Sequence, residues 1–320
     1  LSKKFFINKA YENGGGPEIF GHRLKEELTK QGHRFMLPWQ VQAQNHDAYR
    51  PDNNLSIIFG VMYDFCKNLL RLDGLYLDSD DPETDQKNHP IFDSYYNFDH
   101  IVFQSEFSKN IYEAFTETSK ENTIIHNGVG DEFFEAEEMP IYLSADFEKL
   151  CVASASWRRH KRLEETIEAF RDKRLKNVGL LVLGGLDYKP ANINKPSNVI
   201  LLDKMAHEDS ALFYKNCDAM IHLCWLDSCP NSVVESLAAR TPVLCSHNGG
   251  TSELVKDDGV TIQIEDDYVF GQRVPLYDPP KVDTNIIVEG VLKVLEMGEI
   301  ESRDDLKISN VASKYADVFV

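Results

Sequence analysis

The run Gly179-Leu-Leu-Val-Leu-Gly184 carries no polar side chain. A strand of that kind must be covered on both faces, which is the signature of a parallel sheet held between helical layers. Lys149 to Ala153, Asn198 to Leu202, Ala219 to Cys224 and Pro242 to Cys245 read as further strands of the same set. Helical patterns stand between them. Leu163, Ile167 and Phe170 mark one face, Ser210 to Tyr214 another helix, and a third starts near Ser232. The same alternation opens the chain. Phe5 to Asn8 reads as a strand, Tyr11 to Pro17 as a glycine loop, Ile19 to Gln31 as a helix ended by Gly32, and His33 to Leu37 as a strand. Leu55 to Val61, Leu69 to Leu72, His100 to Ser105 and Thr123 to Val129 continue the series, with a helix capped near Ser105 or Ser108. Tyr76 to Pro90 is acidic and reads as an exposed loop.

Two successive sets of this kind in 320 residues predict an α/β chain of two doubly wound, Rossmann-like domains facing across a cleft. Periodicity lapses between Glu132 and Phe147, so the boundary is expected there. The expected division is 1–140 for the first domain, 141–300 for the second, and 301–320 for a closing helix.

The formal charge is -18, from 52 acidic and 34 basic residues. A nucleic-acid partner needs a basic face, so none is expected. No run approaches the ~20 apolar residues that span a bilayer, and no stable membrane insertion is expected. Leu1 to Asn8 reads as a first strand and not as a signal peptide. The cysteines (66, 151, 217, 224, 229, 245) form no Cys-x-x-Cys pair and several sit in apolar runs, which points to reduced thiols and a cytoplasmic protein.

The densest chemistry lies in Asp227-Ser-Cys-Pro-Asn-Ser-Val-Val-Glu235, followed by Thr241-Pro-Val and His247-Asn-Gly-Gly. Asp227 falls in the loop after a strand and Glu235 in the first turns of a helix. The start of that helix, around Asn231 and Ser232, offers backbone N–H groups and a partial positive charge suited to phosphate. A carboxylate one turn further in can accept from vicinal hydroxyls of a sugar or ribose. Together they suggest a sugar attached to a phosphorylated nucleoside. The most basic segment, Trp157-Arg-Arg-His-Lys-Arg162, sits in a β-to-α loop, the kind that lines ligand crevices. Cations at a helix amino terminus oppose its dipole, which favours a functional reading. Gly14-Gly15-Gly16-Pro17 follows the first strand but does not fit the dinucleotide spacing Gly-x-Gly-x-x-Gly, so a dehydrogenase is disfavoured. Arg71-Leu-Asp73-Gly74 sits at a strand end as a pocket pair or as an intradomain ion pair. Asp78-Ser-Asp80-Asp81 matches an Asp-x-Asp metal motif, but lies in a polar loop of an acidic chain; no metal is expected.

The Asp227–Glu235 stretch resembles the paired-glutamate motif of retaining GT-B glycosyltransferases, above all family 4 (glycosyl transferases group 1). That pattern reads Glu, seven residues, Glu, then Gly-x-Pro-Val and a Gly-Gly turn. Here Asp227 stands for the first Glu and Arg240 for the usual Gly. The resemblance is fullest from Cys151 to about Val260 and patchier before that. It implies transfer of a sugar from a nucleoside diphosphate sugar, UDP- or GDP-linked, to a hydroxyl of a glycan, glycolipid or similar acceptor. Retention of configuration and no resident metal or cofactor are implied too. By the same resemblance, Arg158 and Lys161 bind the diphosphate and stabilise the leaving nucleotide. Asp227 contacts the donor sugar, Glu235 the ribose, and the backbone at Asn231 and Ser232 the phosphates. Gly15 and Gly16 lie near donor and acceptor. Arg71 and Asp73 are assigned to the acceptor or the reacting centre, and the last helix crosses back to the first domain. Loss of either cation is expected to cost rate more than stability. Alternatives are a non-catalytic nucleotide-sugar binding protein and a sugar-nucleotide epimerase on the same fold.

Overall fold

A computed structural model describes residues 2–11, 15–42, 49–138, 147–185 and 194–319. Contacts divide the chain into two units: 1–130 with 270–273 and 305–320, and 131–269 with 274–304. The expected boundary at 140/141 lies outside the described residues, as does Gly14.

The first unit runs β1 (Lys4–Ile7), α1 (Gly16–Lys30), β2 (Arg34–Phe35), α2 (Pro38–Gln42), β3 (Asn53–Ile57), β4 (Lys67–Leu72), α3 (Thr84–Asn97), β5 (His100–Phe103), α4 (Glu106–Thr116) and β6 (Glu121–Ile124). The strands form one parallel sheet in the order β2-β1-β3-β4-β5-β6. One face buries Phe5, Ile7, Leu55 and Leu69 under Phe20, Leu24 and Leu28 of α1. The other buries Leu70, Leu72, Ile101 and Phe103 under Ile91 and Tyr95 of α3 and Tyr112 of α4. Each such side chain contributes about 1.5–3 kcal/mol on leaving water.

Two departures from the sequence reading matter. Part of the loop expected over Tyr76 to Pro90 is helix, because α3 begins at Thr84 and continues through Pro90. Its buried residues Thr84, Asn88, Ile91, Ser94 and Tyr95 hold it on the sheet despite the imino acid. The strand expected to reach Val61 ends at Ile57. Residues 58–66 then return to β4 without a helix, pinned by Asn54 Nδ2 donating to Val61 O at 2.8 Å and Asn68 Nδ2 donating to Tyr63 O at 2.9 Å.

The second unit runs β7 (Lys149–Ser154), α5 (Leu163–Ala169), β8 (Val178–Leu183), β9 (Val199–Leu201), α6 (His207–Lys215), β10 (Ala219–His222), α7 (Asn231–Ala238), β11 (Val243–Ser246), α8 (Thr251–Val255), β12 (Gly259–Ile262) and α9 (Thr284–Leu295). Its parallel sheet is ordered β12-β11-β10-β7-β8-β9. All six residues of β8 are buried, as the apolar run requires. The last helix, α10 (Ile308–Val318), belongs to the first unit, where Val311 and Tyr315 share a core with α1 and the Phe5 ring meets Phe319 edge-on at 5.3 Å.

Both sheets obey one plan. The chain lays down its first strand, builds to one side, and then crosses to the other. The reversal falls between β1 and β3 in the first sheet and between β7 and β10 in the second. At such a switch point the loops leaving the carboxyl ends diverge and open a crevice.

Candidate donor site at the switch point of the second sheet

Lys161 comes from the loop after β7 and Asp227 from the loop after β10, the two strands that flank the reversal. Their side chains meet, with Lys161 Nζ donating to Asp227 Oδ2 at 2.6 Å. Withdrawal from water would lower the ammonium, and Asp227 more than reverses this and holds its pKa well above the usual value. Burial pushes the Asp227 carboxyl up, but Lys161 and His222 outweigh it and hold it well below its usual range. His222 Nε2 lies 3.7 Å from Asp227 Oδ2.

The backbone fixes this pair. Gly250 N donates to Asp227 O at 2.8 Å, and Asp227 and Gly249 form a parallel bridge. Gly249 has φ +131°, and a β-carbon there would stand 2.7 Å from Asp227 O. This is why the Gly-Gly turn follows the motif, as only glycine permits both the dihedral and the approach. Asn248 locks the turn from behind, with Nδ2 donating to Asp266 O at 2.7 Å and Oδ1 accepting from Tyr268 N at 2.8 Å.

After Asp227 the chain reaches Pro230 and enters α7, whose first turn holds Asn231 and Ser232. Glu235 follows one turn in and is buried. Arg240, at the position where glycine is usual, has φ +66°, so a left-handed residue does end this segment. Its guanidinium offsets the strain by donating from Nε to Ile300 O at 2.9 Å.

The basic segment separates into distinct roles. Arg159 is held by both oxygens of Glu165, at 2.7 and 2.9 Å. Arg162 is fully buried, with Nη2 donating to Glu265 Oε2 at 2.7 Å and Nη1 to Pro280 O at 2.8 Å. His160 is buried, its ring against Tyr277, and burial drives its pKa down to about 3. Arg158 is exposed. Arg158 is thus the exposed cation of the segment, while Lys161 is held by Asp227. Removal of Lys161 would take from the Asp227 carboxylate its lysine partner.

His222, Cys224 and Asp227 place one ligand atom each within 4.8 Å of one another, a grouping their sequence spacing did not announce. A metal placed there would sit against the Lys161 ammonium, which already neutralises Asp227. Burial pushes the Cys224 thiol up to about 12, so it is no thiolate nucleophile.

In the first unit, Gly15 caps α1 with φ -75°, a value any residue adopts, and Gly16 opens the helix. What glycine supplies there is an open helix end next to Pro17, not a left-handed turn. Arg71, at the carboxyl end of β4, pairs with Asp73, donates from Nη2 to Asn127 Oδ1 at 2.7 Å, and stacks on Phe20 at 4.1 Å. Arg71 is 1% exposed and Asp73 20%, so Asp73 is the member of the pair that reaches solvent. Burial raises the Asp73 carboxyl against the opposing pull of Arg71. The Asp78–Asp81 loop is spent on the start of α3. Thr84 Oγ1 donates to Asp78 O at 2.7 Å and Lys87 Nζ to Asp81 Oδ2 at 2.7 Å.

Residues 135–270 match the family described as glycosyl transferases group 1. The matched stretch lies within the second unit but for its last residue. The fold is GT-B. The structure is similar to sucrose-phosphate synthase from Thermosynechococcus elongatus, with a TM-score of 0.71 and 12% identity over 100% of this chain and 98% of that one. It is similar to HepE of Anabaena in complex with UDP-glucose, with a TM-score of 0.61 and 12% identity over 99% of each chain. WaaG, a glycosyltransferase involved in lipopolysaccharide biosynthesis, gives a TM-score of 0.62 and 15% identity over 98% of this chain and 95% of that one. None of the curated proteins matches this chain in sequence.

Proposed function

We propose that this protein transfers a sugar, with retention, from a UDP- or GDP-linked donor to a hydroxyl of a glycan or similar acceptor, without a resident metal. The observation that carries the reading is the meeting of Lys161 and Asp227 at the switch point of the second sheet, with α7 and Glu235 leading directly from it. In this reading Arg158 and Lys161 take the diphosphate, joined by the first-turn backbone at Asn231 and Ser232. Asp227 faces the donor sugar and Glu235 the ribose hydroxyls. Gly15 and Gly16 give the phosphates and acceptor room at the start of α1. Asp73 meets the acceptor, and Arg71 positions it. The complex of HepE with UDP-glucose supports a uridine donor.

The acceptor oxygen attacks C1 on the face the leaving group departs from. The C1–O bond to the β-phosphate breaks as the new C1–O bond forms, and the hydroxyl proton passes to the β-phosphate oxygen. The two cations act where charge grows on the departing diphosphate, so they serve the transition state more than the bound donor.

The test is incubation with UDP-glucose and GDP-mannose in turn, with proton NMR of the anomeric region. Release of nucleoside diphosphate with a sugar product that first appears as the α-anomer supports retaining chemistry. A β-product contradicts retention. Tight donor binding with no release from either donor favours a non-catalytic nucleotide-sugar binding protein. A changed nucleotide sugar with no free diphosphate favours an epimerase.

A further inference from the structure

His222, Cys224 and Asp227 gather beside Lys161, wholly within the second unit. His222 closes β10 and Cys224 follows two residues on, so extended backbone sends both side chains to the same side. Leu226, with φ +63°, then turns the chain before Asp227. The backbone under all three is fixed. Ser246 Oγ donates to Cys224 O at 2.8 Å, Trp225 N donates to His160 O at 2.9 Å, and Asp227 is bridged to Gly249.

The atoms offered suit a borderline-soft ion. Imidazole nitrogen, sulfur and carboxylate oxygen are the ligands of zinc and cobalt, whereas magnesium takes oxygen. His222 Nε2 is buried and finds no hydrogen-bond partner among the described residues, which is uncommon for such an atom. It stands 3.7 Å from Asp227 Oδ2, too far for a hydrogen bond. Tetrahedral zinc with bonds of about 2.1 Å holds such a pair roughly 3.4 Å apart, so an ion fits between them after a small adjustment. The His222 side chain is 4% exposed, against 18% for Asp227 and 20% for Lys161, so solvent reaches the group from the carboxylate side.

Lys161 Nζ already holds the same oxygen, Asp227 Oδ2, at 2.6 Å. Two cations on one oxygen repel, so an ion enters only as the ammonium leaves. The Cys224 thiol releases its proton to solvent as the metal–sulfur bond forms. We propose that His222, Cys224 and Asp227 form a three-ligand site for a zinc-class ion, taken up in exchange for Lys161, and that its occupation shuts the donor crevice. The ion is an inhibitor and not a resident cofactor, because it takes Asp227 and displaces Lys161, both of which the donor needs. That second half rests on the transferase reading above, and the binding of the ion does not.

The experiment is a titration of the reduced full chain with cobalt(II), followed by optical absorption, with zinc added afterwards. UDP binding is measured by thermal shift with and without zinc. The expected result is a sulfur-to-cobalt charge-transfer band with the strong visible bands of four-coordinate cobalt, bleached by zinc. The bands should persist in Cys66→Ser, vanish in Cys224→Ser, and need at least tenfold more cobalt in His222→Gln. Lys161→Ala should bind cobalt at least tenfold more tightly than the parent, and magnesium should not compete. Zinc should remove the UDP shift of the parent and leave that of Cys224→Ser, which separates occupation of the site from chelation of the nucleotide. The parent, Cys66→Ser and Cys224→Ser decide the site without reliance on the Lys161 variant. Bands that survive in Cys224→Ser, or no bands in the parent, overturn the site. Cobalt affinity unchanged or weakened in a folded Lys161→Ala overturns the exchange. A UDP shift in the parent that zinc does not touch overturns the inhibition. Cobalt binding as expected with no UDP shift in the metal-free parent keeps the metal site and sinks the transferase reading.

Discussion

Neighbouring cations in 157–162 do different work, and single substitutions separate them. Arg158 touches little of its own protein, so Arg158→Ala should leave stability within about 0.5 kcal/mol while lowering the rate of donor turnover. Lys161→Ala should lower the rate too, but should also destabilise by about 2 kcal/mol because it leaves Asp227 uncompensated, and Asp227→Asn in that background should restore part of the loss. Urea denaturation of the three proteins, read with turnover, checks both statements. His160 titrates in the opposite sense to a salt-bridged histidine. Its folded pKa of about 3 lies below the ordinary 6.5, so the unfolded chain binds the extra proton between those values and stability falls as pH falls through that window. From pH 7 to pH 5 this group alone removes about 2 kcal/mol. His160→Gln should flatten the pH dependence of unfolding by that amount, and an unchanged slope would contradict the assignment.

At the scale of elements, the site is a loop held by loops, and the holding contacts are long-range. Arg162 reaches Glu265, and Asn248 donates to the other oxygen of the same carboxylate at 3.1 Å. The loop after β7 and the turn after β11 are thereby joined to the 265–268 segment. Arg162→Met should cost about 3–5 kcal/mol in urea denaturation, because it strands a buried carboxylate, whereas Arg158→Met should be neutral. This division explains what the sequence could and could not reveal. The Asp227–Glu235 spacing, the apolar β8 and the Gly-Gly turn are local patterns whose geometry follows from their own residues. The burial of Arg162 depends on a partner 103 positions away, and nothing in Trp157–Arg162 distinguishes it from Arg158. The grouping of His222, Cys224 and Asp227 arises only when a strand end and the following loop fold together. Thr84–Asn97 was illegible for another reason. Its polar composition and Pro90 argue against a helix, and packing of Ile91 and Tyr95 on the sheet outweighs both.

Across the whole molecule, one topology appears twice with different chemistry at the same place. Each unit is a six-stranded parallel sheet with a reversal of strand order beside its first strand. In the second unit the reversal carries cations and a helix start, suited to a diphosphate. In the first it carries the aromatic side chains of Phe6, Phe59 and Tyr63, with Lys9 Nζ 5.0 Å from the Phe59 ring. In a chain of net charge -18 a diphosphate is repelled overall, so its affinity must come from the few groups at that one crevice. The most direct measurement is therefore the thermal shift with UDP, GDP and ADP, on the parent and on Glu235→Ala. A ligand at 100 times its dissociation constant stabilises by about 2.7 kcal/mol, which should raise the melting temperature by several degrees. The account predicts a shift with one nucleoside diphosphate that is lost in Glu235→Ala. No shift with any of the three, or one that survives the substitution, would contradict a donor site at Lys161, Asp227 and Glu235.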